Sequence, residues 1–398
     1  MDSIVLNDYQ TLAVAVVALG IGDLIRNKIP VLKRLCIPAP VIGGLIVAVI
    51  TLVFHATKGI SIGFAEELKN ICMVFFFTSV GFKADVKLLK TGGRDLALFL
   101  ITVTLLILAQ DTVAVMLAKL MGLGAGIGLC TGSIPMVGGH GTSAAFGPIL
   151  ESMGVNGATT ISTAAATYGL IAGSLLGGPI ANHLIVKHDL IKTAKPGNPA
   201  PSDVEDAVGS DKADTRAGAI FLLAIAAGLG TLISYALSTT GVTFPQYIGA
   251  MLAAALIRNI AHFSGKLQIH TDSIDEIGNI MLSLFLGMAM ISLKIWDLAG
   301  LALPLVILLG AQTVLMGVYA AFVIFRVMGK DYDAAVLASG TCGFGMGATP
   351  NAMANIKTIC DRYVISVKAF LLIPIVGSMF ADFINSLIIT VFINVLNH

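Results

Sequence analysis

Charged side chains are scarce in this chain. Asp, Glu, Lys and Arg together make up 12% of its 398 residues, whereas hydrophobic residues make up 56%. Because roughly a quarter of the residues in a soluble domain are charged, this composition excludes an ordinary soluble domain and predicts a membrane protein. The net charge of +1 also excludes nucleic acid as a partner, since a phosphate backbone requires a basic face.

The chain also lacks the motifs of a disulfide framework, a zinc site or an enzyme. Its five cysteines are odd in number, scattered, and never spaced as C-x-x-C. It has no G-x-S-x-G elbow and no P-loop lysine, and the "GHGTS" at 139–143 is without a matched base. We therefore predict that the protein is not an enzyme and uses no organic cofactor.

Long runs without Asp, Glu, Lys or Arg are abundant. Residues 120–150, 152–186, 217–257 and 298–325 form such runs, each longer than the roughly 20 residues that a helix needs to cross a bilayer. The hydrophobic segments divide into five and five. They lie at about 4–25, 36–54, 67–82, 95–120, 158–185, 217–239, 245–260, 275–293, 300–326 and 366–396.

A polar stretch separates the two groups of five. Residues 187–216 are rich in Pro, Ser and Asp and predict an exposed linker between a first half, 1–186, and a second half, 217–398. If the N-terminus is outside, all but four of the 24 Lys and Arg fall in cytoplasmic loops. This bias predicts a multi-pass membrane protein with both termini outside and the linker cytoplasmic. The four exceptions are Lys58, Lys69, Lys119 and Lys294.

The two halves resemble each other in sequence. "IPAPVIGGLIVAV" from Ile37 matches "FPQYIGAMLAAAL" from Phe244, with Pro38 and Pro245 in step at an offset of 207 residues. "GGHGTSAA" and "GMGATPNA" align at the same offset. Since each copy has an odd number of spans, the copies face in opposite directions. The predicted fold is an all-α polytopic membrane protein with about ten transmembrane helices in two inverted five-helix repeats.

Each half contains a glycine-rich stretch before its last span. Residues 133–148 and 339–354 are apolar, yet Gly and Pro make them poor continuous helices. Irregular backbone survives at membrane depth only where protein or a water-filled cavity satisfies its polar groups. We therefore predict two re-entrant hairpins, near 124–151 and 333–357, that enter from opposite sides and meet near the middle of the membrane.

These stretches have the chemistry of a small-anion site. The start of a broken helix offers N–H groups to a carboxylate, and the end of another offers C=O groups to a cation, so the pair suits an anion carried with Na⁺. The neutral imidazole of His140 could bind a carboxylate or orient the tip. The alternative is that the small residues only allow close helix packing. The candidate substrate-binding residues are Ser133, Gly138, Gly139, His140, Gly141, Thr142, Ser143, Thr341, Gly343, Gly345, Gly347, Thr349 and Asn351.

Three polar residues in the predicted spans are candidate sodium ligands. An ionisable side chain at membrane depth is costly unless it faces a partner or water, which singles out Asp382 in the tenth span. Asn385 lies nearby in the same span, and Thr167 lies in the fifth. The alternative is a polar contact between packed helices. Asp111 in the fourth span raises the same question, and Thr313 is its counterpart in the second half.

Three motifs resemble those of a known family. "GGHGTSAAF", "YDAAVLASGTCGFGMGATPNAMANI" and "IPAPVIGGL" are similar to the bacterial glutamate:sodium symporters, the ESS family, and the resemblance extends over nearly the whole chain. It implies Na⁺-coupled uptake of L-glutamate across the inner membrane. It further implies ten spans, inverted halves, two re-entrant loops, a homodimer and an elevator-like movement.

The chain departs from the usual family pattern at three places. It has "SIPMVGGHGTS" where the pattern has "SITLSGGHGTG", Thr341 near a usual His, and Asp111 near a usual Asn. Glutamate is therefore the expected substrate with altered selectivity left open. The alternatives are a sodium-coupled symporter of another small carboxylate, such as aspartate or citrate, and a channel with paired re-entrant loops.

Overall fold

The protein is nearly all-helical in a computed structural model that describes residues 3–86, 93–193, 212–239, 246–264, 269–298 and 301–397. The described strands and helices, in chain order, are β1 Ser3–Leu6, α1 Asp8–Lys28, α2 Pro30–Arg34, α3 Ala39–Lys58, β2 Ser61–Phe64, α4 Glu67–Lys83, α5 Gly93–Leu120, α6 Ala125–Leu129, α7 Ser133–Met136, α8 Gly139–Ser152, α9 Ala158–Lys187, α10 Lys212–Ser238, α11 Gln246–Ser264, α12 Thr271–Ile291, α13 Ala302–Val318, α14 Phe325–Val327, α15 Tyr332–Gly345, α16 Thr349–Arg362, α17 Val367–Ile375 and α18 Ala381–Asn397.

The prediction of a helical membrane protein is confirmed. Each of the ten hydrophobic segments overlaps a described helix. Within the described ranges, eight helices are long and apolar enough to cross a membrane. They are Asp8–Lys28, Ala39–Lys58, Gly93–Leu120, Ala158–Lys187, Arg216–Leu237, Thr271–Ile291, Ala302–Val327 and Val367–Leu396.

The described chain folds into two compact units, and each takes segments from both halves of the sequence. Unit 1 comprises Met1–Ala84, His140–Thr163 and Ala213–Ala302, and unit 2 comprises Asp85–Gly139, Ala164–Lys212 and Leu303–His398. The predicted halves, 1–186 and 217–398, are divisions of the sequence, and the inverted repeat remains a prediction. The predicted linker lies mostly outside the described residues.

Unit 1 is held together by helices that approach closely at glycines. A methyl group on Gly43 of α3 would overlap the Ala18 carbonyl of α1, and one on Gly81 of α4 would overlap the Met251 carbonyl of α11. Small residues allow such backbone-to-backbone contact between membrane helices. An apolar core in this unit includes the buried side chain of Phe82.

A short parallel sheet in unit 1 was absent from the all-helical prediction. β1 pairs with β2 in parallel, from Ser3 opposite Ser61 to Leu6 opposite Phe64. α1 then begins with a capping box in which Asn7 and Gln10 exchange hydrogen bonds of 2.9 and 3.1 Å. The pair joins the chain before α1 to the connection between α3 and α4.

Unit 2 contains a large apolar core and two irregular helical turns. Phe99, Leu106 and Leu337 are among the buried residues of this core. A π-helical turn, Tyr319–Ile324, joins α13 to α14, and a second, Val376–Phe380, joins α17 to α18. Such turns are rare and often occur at functional sites.

Candidate functional site

Both glycine-rich stretches are broken helices, as predicted from their composition. In the first stretch, α7 ends at Met136 and α8 begins at Gly139, whose φ of +59° favours glycine. In the second stretch, α15 ends at Gly345 and α16 begins at Thr349. Each break leaves backbone groups outside regular helical hydrogen bonding, which is the property that a binding tip requires.

The second stretch is an antiparallel helical hairpin within unit 2. Asn355 of α16 donates from Nδ2 to the backbone oxygen of Ser339 on α15 at 3.3 Å. Nearer the tip, a methyl group on Gly343 would overlap the backbone of Ala352. Close packing of the two arms therefore explains the glycine at position 343. This is the alternative to substrate binding that the sequence left open.

The tip of this hairpin contacts the break in the first stretch. A Cβ atom on Gly139 would lie 3.1 Å from the backbone oxygen of Gly347, and both residues belong to unit 2. A Cβ atom on Gly347 would itself lie 2.9 Å from the backbone oxygen of Gly343. The two stretches thus meet at glycines that leave little room for side chains.

Two asparagines of α16 fasten this hairpin to α9 within unit 2. Asn351 donates from Nδ2 to the backbone oxygen of Leu170 at 2.8 Å and to Oγ of Ser174 at 2.7 Å. Asn355 donates to the backbone oxygen of Gly173 at 2.9 Å. Ser174 and Asn355 were missed by sequence reasoning, although Asn351 and Asn355 are one helical turn apart and so share a face.

A glycine-lined face of α9 lets α15 approach at backbone distance. Cβ atoms on Gly173 and Gly177 would lie 2.7 and 2.6 Å from the backbone oxygens of Cys342 and Ser339. The spacing of four residues places these glycines on one side of the helix. This spacing in the sequence was a signal for the close approach of another helix, but it does not identify α15 as that helix.

The second arm of the first stretch lies in unit 1. Ser143 of α8 donates from Oγ to the backbone oxygen of Ser162 at 3.1 Å, so its hydroxyl is used in packing. His140 and Thr142 are buried. A Cβ atom on Gly141 would make only ordinary contacts, at 3.5 Å from the side chains of Phe76 and Leu282.

A cavity in unit 1 adjoins this arm. It has a volume of about 820 Å³, and Ala144 and Pro148 of α8 are among its lining residues. Lys69 and Lys294 also line it, and these are two of the four basic residues outside the predicted cytoplasmic loops. Lys69 forms an ion pair with Glu66 at 2.7 Å. The cavity therefore combines basic and acidic side chains beside the first glycine-rich stretch.

Ser133 connects three elements of unit 2. Its backbone N–H and its hydroxyl donate to Oδ1 and Oδ2 of Asp111 on α5, at 2.7 and 2.9 Å. Its backbone oxygen accepts from Nδ2 of Asn385 on α18 at 3.2 Å. The polar groups of Ser133 are thus used in hydrogen bonds within the protein. Through one of these bonds, Asn385 contacts the first glycine-rich stretch. Asp382 and Thr167, the other candidate sodium ligands, are half-buried.

Several buried oxygens in unit 2 have no hydrogen-bond partner among the described residues. They belong to side chains that are fully buried, and such groups normally find a donor, a water or an ion. These atoms are Oε1 of Gln110, Oε1 of Gln312, Oγ of Ser339, Oδ1 of Asn351 and Oδ1 of Asn385. Amide and hydroxyl oxygens of this kind can accept from an ammonium group or coordinate a hard cation.

Sequence comparison with known proteins assigns the family. Residues 4–365 match the family model for the sodium/glutamate symporter. The chain is 38% identical to a sodium/glutamate symporter of Escherichia coli (strain K12) and 36% identical to one of Haemophilus influenzae, covering 98% of each chain in both cases. The chain belongs to the sodium/glutamate symporter family.

A solved structure of the sodium proton antiporter MjNhaP1 from Methanocaldococcus jannaschii is a more distant match to this family member. It shares 12% identity with the chain at a TM-score of 0.41, over 97% of both chains.

Among the residues that the structure describes, no three His, Cys, Asp or Glu side chains form a group that could hold a metal ion.

The remaining candidate residues of this family member lie near the second tip, except Gly138, which lies at the break in the first stretch. Thr341 is buried and donates from Oγ1 to Leu337 O of its own helix at 2.7 Å. Gly345 O accepts from Nε2 of Gln110 at 2.7 Å, a contact that sequence reasoning missed. Thr349 begins α16, and Gly138 is half-buried between α7 and α8.

Proposed function

We propose that the protein is a secondary active transporter that carries L-glutamate together with Na⁺ across the bacterial inner membrane. One observation carries the proposal, namely that the two glycine-rich stretches meet at Gly139 and Gly347. Buried amide oxygens without partners, such as Oδ1 of Asn351, belong to the same unit. The sodium/glutamate symporters that the chain resembles have names that state the same function.

The proposed topology has ten spans. In addition to the eight helices that can cross by length and composition, α4 and α11 would cross as well. The two five-helix halves would then be inverted, and the glycine-rich stretches would be re-entrant hairpins. Both termini would lie in the periplasm and the linker at 187–216 in the cytoplasm.

Both glycine-rich stretches would contribute to the substrate site. The positive ends of the helix dipoles at the starts of α8 and α16 suit the substrate carboxylates, assisted by His140 and Thr142. Oxygens such as Oδ1 of Asn351 suit the ammonium group. Asp382, Asn385 and Thr167 would hold Na⁺.

Transport would follow an alternating-access mechanism of the elevator type in a homodimer. One hairpin-bearing unit would move against a scaffold that includes the helices after Pro38 and Pro245. Coupling requires that a site loaded with both anion and Na⁺ moves more readily than a site loaded with either alone. The cavity beside α8 would serve as an entrance from the periplasm.

The direct test is uptake of labelled L-glutamate into liposomes that contain the purified protein, with and without an inward Na⁺ gradient. Concentrative, Na⁺-dependent uptake supports the proposal, whereas gradient-independent equilibration indicates a channel or uniporter. Unlabelled D-glutamate, aspartate and citrate serve as competitors. A stronger effect of aspartate or citrate would favour a symporter of another carboxylate.

Uptake into the same liposomes also shows how many Na⁺ ions accompany each glutamate. One Na⁺ with one glutamate monoanion moves no net charge, so a membrane potential would not change accumulation. A second Na⁺ would couple accumulation to the potential at about 2.3 kcal/mol per 100 mV. Uptake measured at several clamped potentials distinguishes these cases.

A further inference from the structure

Asp111 is a fully buried carboxylate within a membrane-spanning helix. The structure gives it polar contacts with a single residue, because both its oxygens accept from Ser133, at 2.7 Å from the backbone N–H and 2.9 Å from the hydroxyl. Within the described ranges, no ion pair involves this side chain. A buried carboxylate without a counter-charge is strongly disfavoured, so its negative charge requires an explanation.

Capping the start of α7 does not explain the charge. The N–H of Ser133 needs only an oxygen acceptor, which a neutral Asn side chain would supply as well. The predicted repeat offers a comparison, because it pairs Gln110 and Asp111 with Gln312 and Thr313 of the second half. There Thr313 pairs with the hydroxyl of Tyr168 at 2.9 Å without any charge. The predicted repeat thus carries a neutral residue at this position of the second half.

A second acceptor lies on the other side of Ser133. The side chain of Asn385 is fully buried, and its Nδ2 is committed to the backbone oxygen of Ser133 at 3.2 Å. Its Oδ1 has no hydrogen-bond partner in the part of the chain that the structure describes. Two side chains that each carry an oxygen acceptor, one of them charged, thus contact Ser133 from α5 and α18, and Asn385 does so through Nδ2. A single proton would satisfy only one of them, whereas a cation can be shared.

We propose that Asp111 and Asn385 bind a monovalent hard cation, with Na⁺ as the ion to be tested. The carboxylate supplies the charge, Oδ1 of Asn385 supplies a neutral ligand, and the hydroxyl oxygen of Ser133 lies beside the carboxylate. Oxygen ligands of this kind are those that hard cations prefer. Gly132 leaves the room that the carboxylate needs, since a Cβ atom there would lie 2.5 Å from Oδ1 of Asp111.

This site would give the proposed symporter a cation-binding residue that the candidate ligands Asp382, Asn385 and Thr167 do not include. It rests on the proposed function only in that the bound ion would be the coupling ion. Binding itself is independent of transport, because the cation needs no glutamate to meet these oxygens.

The experiment measures the thermal unfolding of the purified full-length protein in detergent against NaCl concentration, with choline chloride keeping the ionic strength constant. An ion that binds only the folded state raises Tm with its concentration. Asp111→Asn keeps an acceptor for Ser133 but removes the charge. We expect it to raise the half-maximal Na⁺ concentration by about tenfold or more. Asp95→Asn, at an exposed position of the same helix where the carboxylate pairs with Lys368 at 2.7 Å, is the control and should cause no shift.

Asn385→Ala provides a second test that does not alter Asp111. It should raise the half-maximal Na⁺ concentration as well, and it carries the test alone if Asp111→Asn does not fold. The proposal is overturned if the folded variants keep the Na⁺ dependence of the wild type, or if Na⁺ stabilises the wild type no better than choline. Na⁺ binding through Asp111 without glutamate uptake would sustain this inference while refuting the proposed function. Na⁺-dependent glutamate uptake by the wild type, with unchanged Na⁺ binding in both variants, would support the proposed function while refuting this inference.

Discussion

Gln312 donates a hydrogen bond from Nε2 to the backbone oxygen of Gln110 at 2.9 Å. Residues of the first and second halves of the sequence therefore touch inside unit 2. Gln110 in turn donates to the backbone oxygen of Gly345 at the end of α15, 2.7 Å away. This chain of amides links α13, α5 and the second glycine-rich stretch.

Replacing Gln312 with Leu should destabilise the protein. The backbone oxygen of Gln110 would lose the amide donor, and an unsatisfied buried polar group costs about 1–3 kcal/mol. Thermal unfolding in detergent measures the change in Tm. The control is Thr358→Val, because the Thr358 hydroxyl is exposed and bonds only Ala354 of its own helix. Equal effects of the two substitutions would show that the amide chain has no special role.

Adjacent glycines of α9 should respond in opposite ways to alanine. A Cβ atom on Gly177 would lie 2.6 Å from the backbone oxygen of Ser339, whereas one on Gly178 would meet nothing within 4 Å. Overpacking at Gly177→Ala should cost about 1–3 kcal/mol. Gly178→Ala should be neutral or stabilise by up to about 1 kcal/mol, since it restricts the unfolded chain. Unfolding of the two variants checks this, and a stable Gly177→Ala protein would contradict the close approach of α9 and α15.

Gly139→Ala should reduce glutamate uptake. Alanine at a φ of +59° costs about 1–2 kcal/mol, and its methyl group would press on the backbone oxygen of Gly347. Gly122→Ala is the matched control, because φ there is +74° but a Cβ atom would meet nothing within 4 Å. Both variants should lose similar stability in thermal unfolding. If both retain wild-type uptake, the contact between the tips is not needed for transport.

His140→Ala should weaken apparent glutamate affinity. If the imidazole binds a substrate carboxylate, its removal should raise the half-saturating glutamate concentration by about tenfold, equivalent to roughly 1.4 kcal/mol. Uptake at saturating Na⁺ measures this, with His183→Ala as a control at an exposed position of α9. A reduced maximal rate at unchanged half-saturation would instead assign His140 to positioning of the tip.

The sequence predicted the helices and the helix breaks because these depend on local composition. The segment at 158–185 became α9, which ends at Lys187, and the interruptions before Gly139 and Thr349 fall within the two glycine-rich stretches. Long apolar runs and clustered Gly or Pro act over a few turns, so they can be read directly from the chain.

The contacts around the tips could not be predicted in the same way. Asn355 and Gly173 are 182 residues apart, and nothing in either neighbourhood specifies the other. The four-residue strands β1 and β2 are too short to interrupt the hydrophobic pattern of α1 and α3. Ser143, Thr341 and Gly343 are candidate ligands by sequence, and the structure adds that the first two hydroxyls bond backbone oxygens and that the glycine packs against α16.

The π-helical turn at Val376–Phe380 has a consequence for comparing relatives by length. A π turn holds one residue more than an α turn, so it absorbs an insertion while the faces of α17 and α18 keep their directions. A relative that lacks one residue in this segment would still present the counterpart of Asn385 to Ser133. The same deletion elsewhere in the helix would rotate that asparagine by about 100°. A one-residue gap in an alignment therefore preserves the orientation of this asparagine if it falls in the π turn, and changes it if it falls a few residues away.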